Sequence, residues 1–320
     1  MSQLRVELRR YRSRRAIAVL LLLGALVAAW LTIDTVWSTR EASDTDVAGA
    51  KQSAADAQAT ADADYRNCLK NPSTLRPDAT AADCVRAQVD YRDYLKRAPL
   101  SPREELRDSG QVAALTLAAL GFVIGAVFAG ADWASGAMRT QVIAAPARGR
   151  LWVVKGAAVA VAAAISSALV LGLMWATYLG TMNERGNPVS AALAGDIGWW
   201  YARAVLLVVG AALGGYALAM LLRSVLGTVA LLGIYAVVGE ALVGTLPISK
   251  VASASPASNV IAWLRDGVRV FDPTIECPAG GGACTRTYEL TLASGATYLG
   301  ALLALVLLIS WLAFRRRDIA

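Results

Sequence analysis

AIAVLLLLGALVAAWLTI, residues 16–33, carries no charge and no helix-breaking proline. As a helix rising 1.5 Å per residue it extends about 27 Å, close to the roughly 30 Å of a bilayer's hydrocarbon. A basic head precedes it: Arg5, Arg9, Arg10, Arg12, Arg14 and Arg15. No small-x-small cleavage site follows before the polar sequence begins, so the stretch reads as a retained membrane span, not a removed signal.

Five more stretches repeat the pattern: Val112–Ala131, Gly156–Thr181, Ala204–Leu222, a run from Ser224 past Glu240 to Leu246, and Leu290–Phe314. The chain of 320 residues is 56% hydrophobic and 17% charged, with a mean hydropathy of +0.48. Soluble domains average about 25% charged residues, so lipid replaces water over much of this surface. The expected fold is all-α and integral to the membrane. It has six transmembrane helices, an N-terminal interfacial helix, a cytoplasmic coupling helix and a disulfide-containing helical extracellular loop.

The net charge of +7 does not indicate a nucleic-acid partner, because the basic residues flank the apolar runs. Histidine is absent, which removes the usual general base near neutral pH and the commonest metal ligand. A zinc enzyme and a Ser-His hydrolase are thereby excluded. Neither a catalytic residue nor a metal site is expected.

Basic residues cluster before the first span, after the second (Arg139, Arg148, Arg150, Lys155), after the fourth (Arg223) and after the sixth (Arg315, Arg316, Arg317). An even number of crossings puts all four clusters on one side, and the positive-inside rule makes that side cytoplasmic. A multi-pass protein of the plasma (inner) membrane with both termini in the cytoplasm follows as the expectation. The 38–111 loop holds 11 Lys and Arg against 13 Asp and Glu. Long mixed-charge loops of that kind translocate regardless.

The expected divisions are 1–37, the amphipathic helix and first span; 38–111, the extracellular helical loop; 112–246, spans two to five with a coupling helix at 132–150; 247–289, an extracellular loop with a short helix; and 290–320, the sixth span and tail. Cys68 and Cys84 fall in the first outer loop, Cys277 and Cys284 in the last. All four lie on the expected oxidising side. Of the three possible connectivities, the local pairs Cys68–Cys84 and Cys277–Cys284 are preferred. Within the outer loop, Ser43–Tyr65 reads as helix continuous with the first span. Thr80–Lys96 reads as a second helix capped by Thr80. The hairpin so formed serves as a gate, a docking surface or a solvated spacer.

DWASGAMRTQVIAAPARGRLWVVKG, residues 132–156, lies between the second and third spans and is too polar to cross. Helical periodicity over Trp133–Ala145 puts Ser135, Gly136, Arg139 and Thr140 on one arc. Trp133, Ala134, Ala137, Met138, Val142, Ala144 and Ala145 fall on the other, with Gln141 and Ile143 as exceptions. Such a helix lies in the interface plane. Asp132 stands at its start, Pro146 stops it, and Arg148, Arg150 and Lys155 meet lipid phosphates beyond it. Leu4, Leu8 and Tyr11 share one face of the N-terminal helix, with Arg9, Arg10, Arg14 and Arg15 among its interfacial charges.

An acidic residue, a glycine four positions on, then a proline and a basic cluster ahead of the next span resemble the ABC transporter type-2 permease family, particularly its actinobacterial members. Asp132, Gly136, Pro146, Arg148, Arg150 and Lys155 carry the likeness. The family more often has Glu at position 132 and Thr at 137. LRVELRRYRSRR (4–15) resembles its N-terminal helix, LLRSVLGTVALL (221–232) its tight cytoplasmic turn, SPASNVIAWL (255–264) its short outer helix and FRRRDI (314–319) its tail.

The resemblance implies a permease subunit of an ATP-driven exporter. It would pair with a second permease copy, as homodimer or heterodimer, and with two ATP-binding cassette subunits, and it would move an amphipathic drug, antibiotic, peptide or lipid outward. Asp132, Gly136, Arg139, Pro146, Arg148 and Arg150 would then couple to the ATPase. This chain has no G-x-x-x-x-G-K-[ST] loop, so ATP and Mg would sit on the partner subunit and no cofactor on this one.

Glu240, a carboxylate inside an expected span, is a functional candidate, a solvated gate residue or a counter-ion for Arg203. With Asp34 it is expected along the outer part of a translocation path. Gly121/Gly125 and Gly210/Gly214 are small-xxx-small pairs suited to helix contact within the bundle or across a dimer. The competing expectation for the whole chain is a non-transporting membrane scaffold whose disulfide-bonded outer loop binds an envelope component.

Overall fold

The computed structural model describes residues 3–74, 79–95, 100–144, 147–246, 248–275 and 285–316. Pro146, Cys277 and Cys284 lie outside the described residues. Six helical segments among them are long and apolar enough to cross a membrane, as expected. They are α2 (Arg15–Ser38), α4 with α5 (Pro102–Glu105, Ser109–Ala134), α7 (Arg148–Glu184), α8 (Ala191–Leu222), α9 running into α10 (Val225–Ile234, Glu240–Thr245) and α12 (Leu292–Arg316). Their hydropathy makes this a multi-pass membrane protein. Beside the spans stand α1 (Gln3–Ser13), α3 (Asp44–Lys70) and α6 (Ala137–Ala144). The short α11 (Pro256–Arg265) falls where a helix before the last span was expected.

The chain divides into two compact units, Ile33–Ser101 and the remainder. In the larger unit α5 is the most enclosed span and packs along α8. Their contact is backbone to backbone: a methyl group added at Gly125 would stand 2.0 Å from the Ala212 carbonyl oxygen, and one at Gly215 would stand 2.0 Å from that of Phe122. Gly121 faces α8 as well, but Gly214 meets nothing within 4 Å. The close approach therefore uses the neighbour of the glycine singled out in sequence. Around it Tyr11, Phe128, Trp152, Tyr216 and Phe314 form an apolar core. The Tyr216 hydroxyl donates to the Trp152 carbonyl at 2.7 Å, closing α8 onto α7. Outward faces of α9 and α12 stay apolar and uncovered, as lipid-facing helices are.

Between α8 and α9 the chain turns in two residues. Arg223 adopts φ 56°, and the Ser224 hydroxyl caps α9 by accepting from the Gly227 amide at 3.1 Å. Two short strands, β1 (Val268–Phe271) and β2 (Thr287–Leu290), pair antiparallel with Val268 opposite Leu290. They correct the all-α expectation. Nearby, Asp272 accepts from the Thr274 hydroxyl and from the Lys250 and Thr274 amides, which holds its carboxyl below the usual range.

The smaller unit departs from the sequence reading twice. First, α3 is not continuous with α2: α2 ends at Ser38, and Ser43 opens a new helix with a capping box to Asp46. Second, residues 80–95 are not a helix but two single-turn 3-10 segments, Ala81–Asp83 and Tyr91–Tyr94, within irregular chain. The Gln58 side chain explains why. It donates to the Ala87 carbonyl at 3.2 Å and accepts from the Val89 amide at 2.9 Å, satisfying backbone groups that a helix would pair internally.

The preferred Cys68–Cys84 bond is present. Arg86 clamps Asp62 through two bonds of 2.9 and 2.8 Å. Hydrogen bonds from Arg86 and then Gln58 pull the Asp62 carboxyl from 3.8 down to about 2. A depressed folded-state value means that this contact is present above the ordinary aspartate range and is lost only as pH falls through about 2.

Closing a loop with a sequence separation of 16 removes about 3 kcal/mol of unfolded-state entropy. Cys84→Ser should therefore raise tryptic cleavage after Arg86 and Arg92 about a hundredfold while the spans stay folded. Gel mapping of the digest checks this, and unchanged cleavage would count against a stapling role.

Candidate functional site

The sequence segment 132–156 does not form one helix from Trp133. Asp132 and Trp133 continue α5 to Ala134, and the chain breaks at Ser135–Gly136, where Gly136 adopts φ +70°. Glycine takes that conformation without strain, so Gly136 makes the sharp break between a span and the short α6. Asp132 thus lies in the last turn of α5, not at the start of α6. A carboxylate there opposes the helix dipole and requires neighbouring cations.

It has two. Arg14 and Lys155 each donate to Asp132, and Lys155 also donates to Glu7 at 3.0 Å. Arg14 reaches the carbonyls of Val127 and Phe128 at 3.2 and 2.7 Å. The Phe128 ring lies 5.1 Å from the Arg14 guanidinium and 5.3 Å from the Lys155 ammonium, within cation–π range. Lys155 is fully buried, Asp132 3% and Glu7 5% exposed. Two carboxylates and two cations balance, joining α1, the α1–α2 junction, α5 and α7 at one point.

This corrects the expectation that Lys155 and Arg14 meet lipid phosphates and that Asp132 caps a surface helix: all three are internal ties. Arg9, Arg10 and Arg15 are exposed, with Arg10 3.3 Å from Glu7. Glu7 was missed. The signal was available, since Glu7 shares the Leu4–Leu8–Tyr11 face of α1, where a charge demands a counter-ion.

On α6, Met138 is fully buried and Val142 packs against the core, while Arg139, Thr140 and Ile143 face outward. The two exceptions to the helical pattern sit on the arcs where the periodicity puts them. Gln141 turns inward, and Ile143 is left 84% exposed beside Arg139. Arg150 is exposed at the start of α7, and Arg148 is half-buried. Behind the break, Trp133 packs edge-on to Phe314, and Arg223 stacks on its ring at 4.7 Å. The α5 end, the α8–α9 turn and the α12 end thereby share one aromatic joint.

Of the two carboxylates expected on a path, Glu240 is held by neighbouring donors and is not a free charge inside a span. Glu240 accepts from the Tyr235 hydroxyl at 2.8 Å, the Ser255 hydroxyl at 2.7 Å and the Ala257 amide at 3.1 Å. It ties the π-helical turn Tyr235–Gly239 to the first turn of α11, where a carboxylate complements the dipole. Its expected partner Arg203 binds Asp266 instead, at 3.1 Å. Asp34 is exposed and belongs to the smaller unit.

Among the described residues no group of three or more Cys, Asp or Glu side chains is placed to hold a metal ion. Comparison with protein-family models, with curated proteins and with solved structures returned no match. The geometry itself defines the class: a multi-pass membrane protein in which a short helix follows a glycine break at the end of a span, and a buried, charge-balanced cluster ties α1, α5 and α7 together.

Proposed function

We propose that this chain is the permease subunit of an ATP-driven ABC exporter in the plasma membrane, with both termini cytoplasmic. It would work as a homodimer or heterodimer carrying two separate ATP-binding cassette subunits. The observation that carries the reading is α6: a helix hinged at Gly136, presenting Ile143 and Arg139 outward, with its inner face locked to the bundle. An exposed apolar side chain beside an arginine suits a protein cleft better than water, since Arg and apolar anchors dominate protein interfaces. The resemblance of residues 132–155 to the type-2 permease pattern and the basic flanks of the spans support the same reading.

In this reading, ATP-driven closure of the two cassettes displaces α6. The buried cluster makes α1, α5 and α7 respond as one body, and the Trp133 joint carries the displacement to α8, α9 and α12. An outward-opening path between two permease copies then releases an amphipathic cargo such as a drug, antibiotic, peptide or lipid. ATP and Mg act on the cassettes alone.

Arg139→Glu together with Ile143→Asp should reduce co-purification of the ATP-binding subunit at least about tenfold, with the permease still extracted at normal yield. Retention at the level of the unmodified protein would place docking elsewhere. The compact disulfide-bonded unit Ile33–Ser101 favours the second reading, an envelope-binding scaffold. An ATPase rate unchanged by the permease in proteoliposomes would support that reading over transport.

A further inference from the structure

The geometry points to a seat for the phosphate head of an anionic membrane lipid in the cavity between α4, α8 and α11. This inference does not rest on the proposed function. The cavity measures about 710 Å³ and collects Arg103, Arg107, Arg203 and Arg265 at one end of the spans, beside Trp199 and Trp200. Two carboxylates, Asp196 and Asp266, also line it, leaving an excess of two positive charges.

That excess is not internally spent. Asp266 accepts from Arg203, whereas Arg265 donates to neutral acceptors, the Gln111 amide oxygen at 2.6 Å and the Arg107 carbonyl at 3.2 Å. Arg103 and Arg107 are exposed and make no ion pair among the described residues. Arg203 Nε and Trp200 Nε1 are shielded from solvent with no acceptor, and such donors are costly to leave unmatched. Trp263 holds the wall in place by donating to the Arg203 carbonyl at 2.9 Å.

Guanidinium groups grip phosphate oxygens in pairs, and tryptophan favours the level of lipid head groups. Below the arginines, Trp199 at 73% and Leu206 at 58% exposure continue an apolar strip along α8 that an acyl chain would cover. A soluble phosphate would use the arginines but not the strip. A zwitterionic head brings its own cation into a site already in positive excess.

The test uses the purified full chain in neutral detergent, titrated with phosphatidylglycerol, phosphatidylcholine of the same chains, or inorganic phosphate, and read by thermal shift and native mass spectrometry. Phosphatidylglycerol should bind saturably and at least about tenfold more tightly than either counter-probe. Arg103→Gln with Arg107→Gln should weaken it about tenfold or more, without changing the lipid-free midpoint, since both side chains are exposed. If the double variant expresses poorly, Arg107→Gln alone should lose about threefold. Equal binding of phosphatidylcholine, equal binding of inorganic phosphate, or an undiminished phosphatidylglycerol affinity in these variants would each overturn the assignment.

Discussion

Lys155→Met is expected to cost the protein about 3–5 kcal/mol, the penalty for removing one member of a buried ionic group. Lys155 is fully buried and donates to both Glu7 and Asp132, so its loss takes a cation from two buried carboxylates at once. Asp132 keeps Arg14, but Glu7 keeps only the largely exposed Arg10 at 3.3 Å. Methionine preserves volume and removes only charge, which isolates the electrostatic loss from a cavity effect. The contrast lies in a second variant. Glu7→Gln combined with Lys155→Met removes one balanced pair and leaves Arg14–Asp132 intact, so it should recover much of the stability that Lys155→Met alone forfeits. Thermal unfolding of detergent-purified protein measures both. A midpoint for Lys155→Met equal to the unmodified protein's would show that the cluster does not hold α1 and α7 together. A double variant less stable than the single one would show that charge balance is not what the site provides.

The same residues show how far sequence alone reaches. The six spans were legible because hydrocarbon thickness imposes a length and an absence of charge that little else imitates. The outward face of α6 was legible from periodicity, but its start was not. Trp133 is helical on either account, Asp132 passes from a cap to the last turn of α5, and the distinction lies in a single positive φ at Gly136. The ionic cluster draws its members from positions 7, 14, 132 and 155, and no local pattern joins residues that far apart. Thr80–Lys96 failed for a related reason. Its apolar spacing fits a helix, yet short helices depend on tertiary support, and here Gln58 and the Cys68–Cys84 bond stabilise a different path. The strands VRVF and TYEL do alternate, but a reading tuned to long apolar runs passes over four-residue elements.

Gly125→Ala and Gly215→Ala are each expected to cost about 3 kcal/mol or more, whereas Gly214→Ala should be neutral or slightly stabilising. A methyl group at position 125 or 215 would stand 2.0 Å from a carbonyl oxygen of the facing helix, a clash that no rotamer change relieves because both atoms are fixed by backbone. The helices must separate, giving up packing along the contact between α5 and α8, and overpacking of this sort sits at or above the usual 1–3 kcal/mol. At Gly214 the added methyl meets nothing within 4 Å, and alanine is the better helix former by up to about 1 kcal/mol. Adjacent glycines on α8 should therefore respond with opposite signs, which composition or general helix propensity would not produce. Midpoints from the same thermal assay decide it: a Gly125→Ala protein as stable as the parent would mean that α5 and α8 do not meet backbone to backbone. The contact matters beyond stability. Trp133 and the α6 hinge lie at the end of α5, so a displacement of α6 moves α8 directly only if α5 and α8 are locked along their length. Variants that loosen Gly125–Ala212 should uncouple any motion begun at α6 before it reaches the far end of α8.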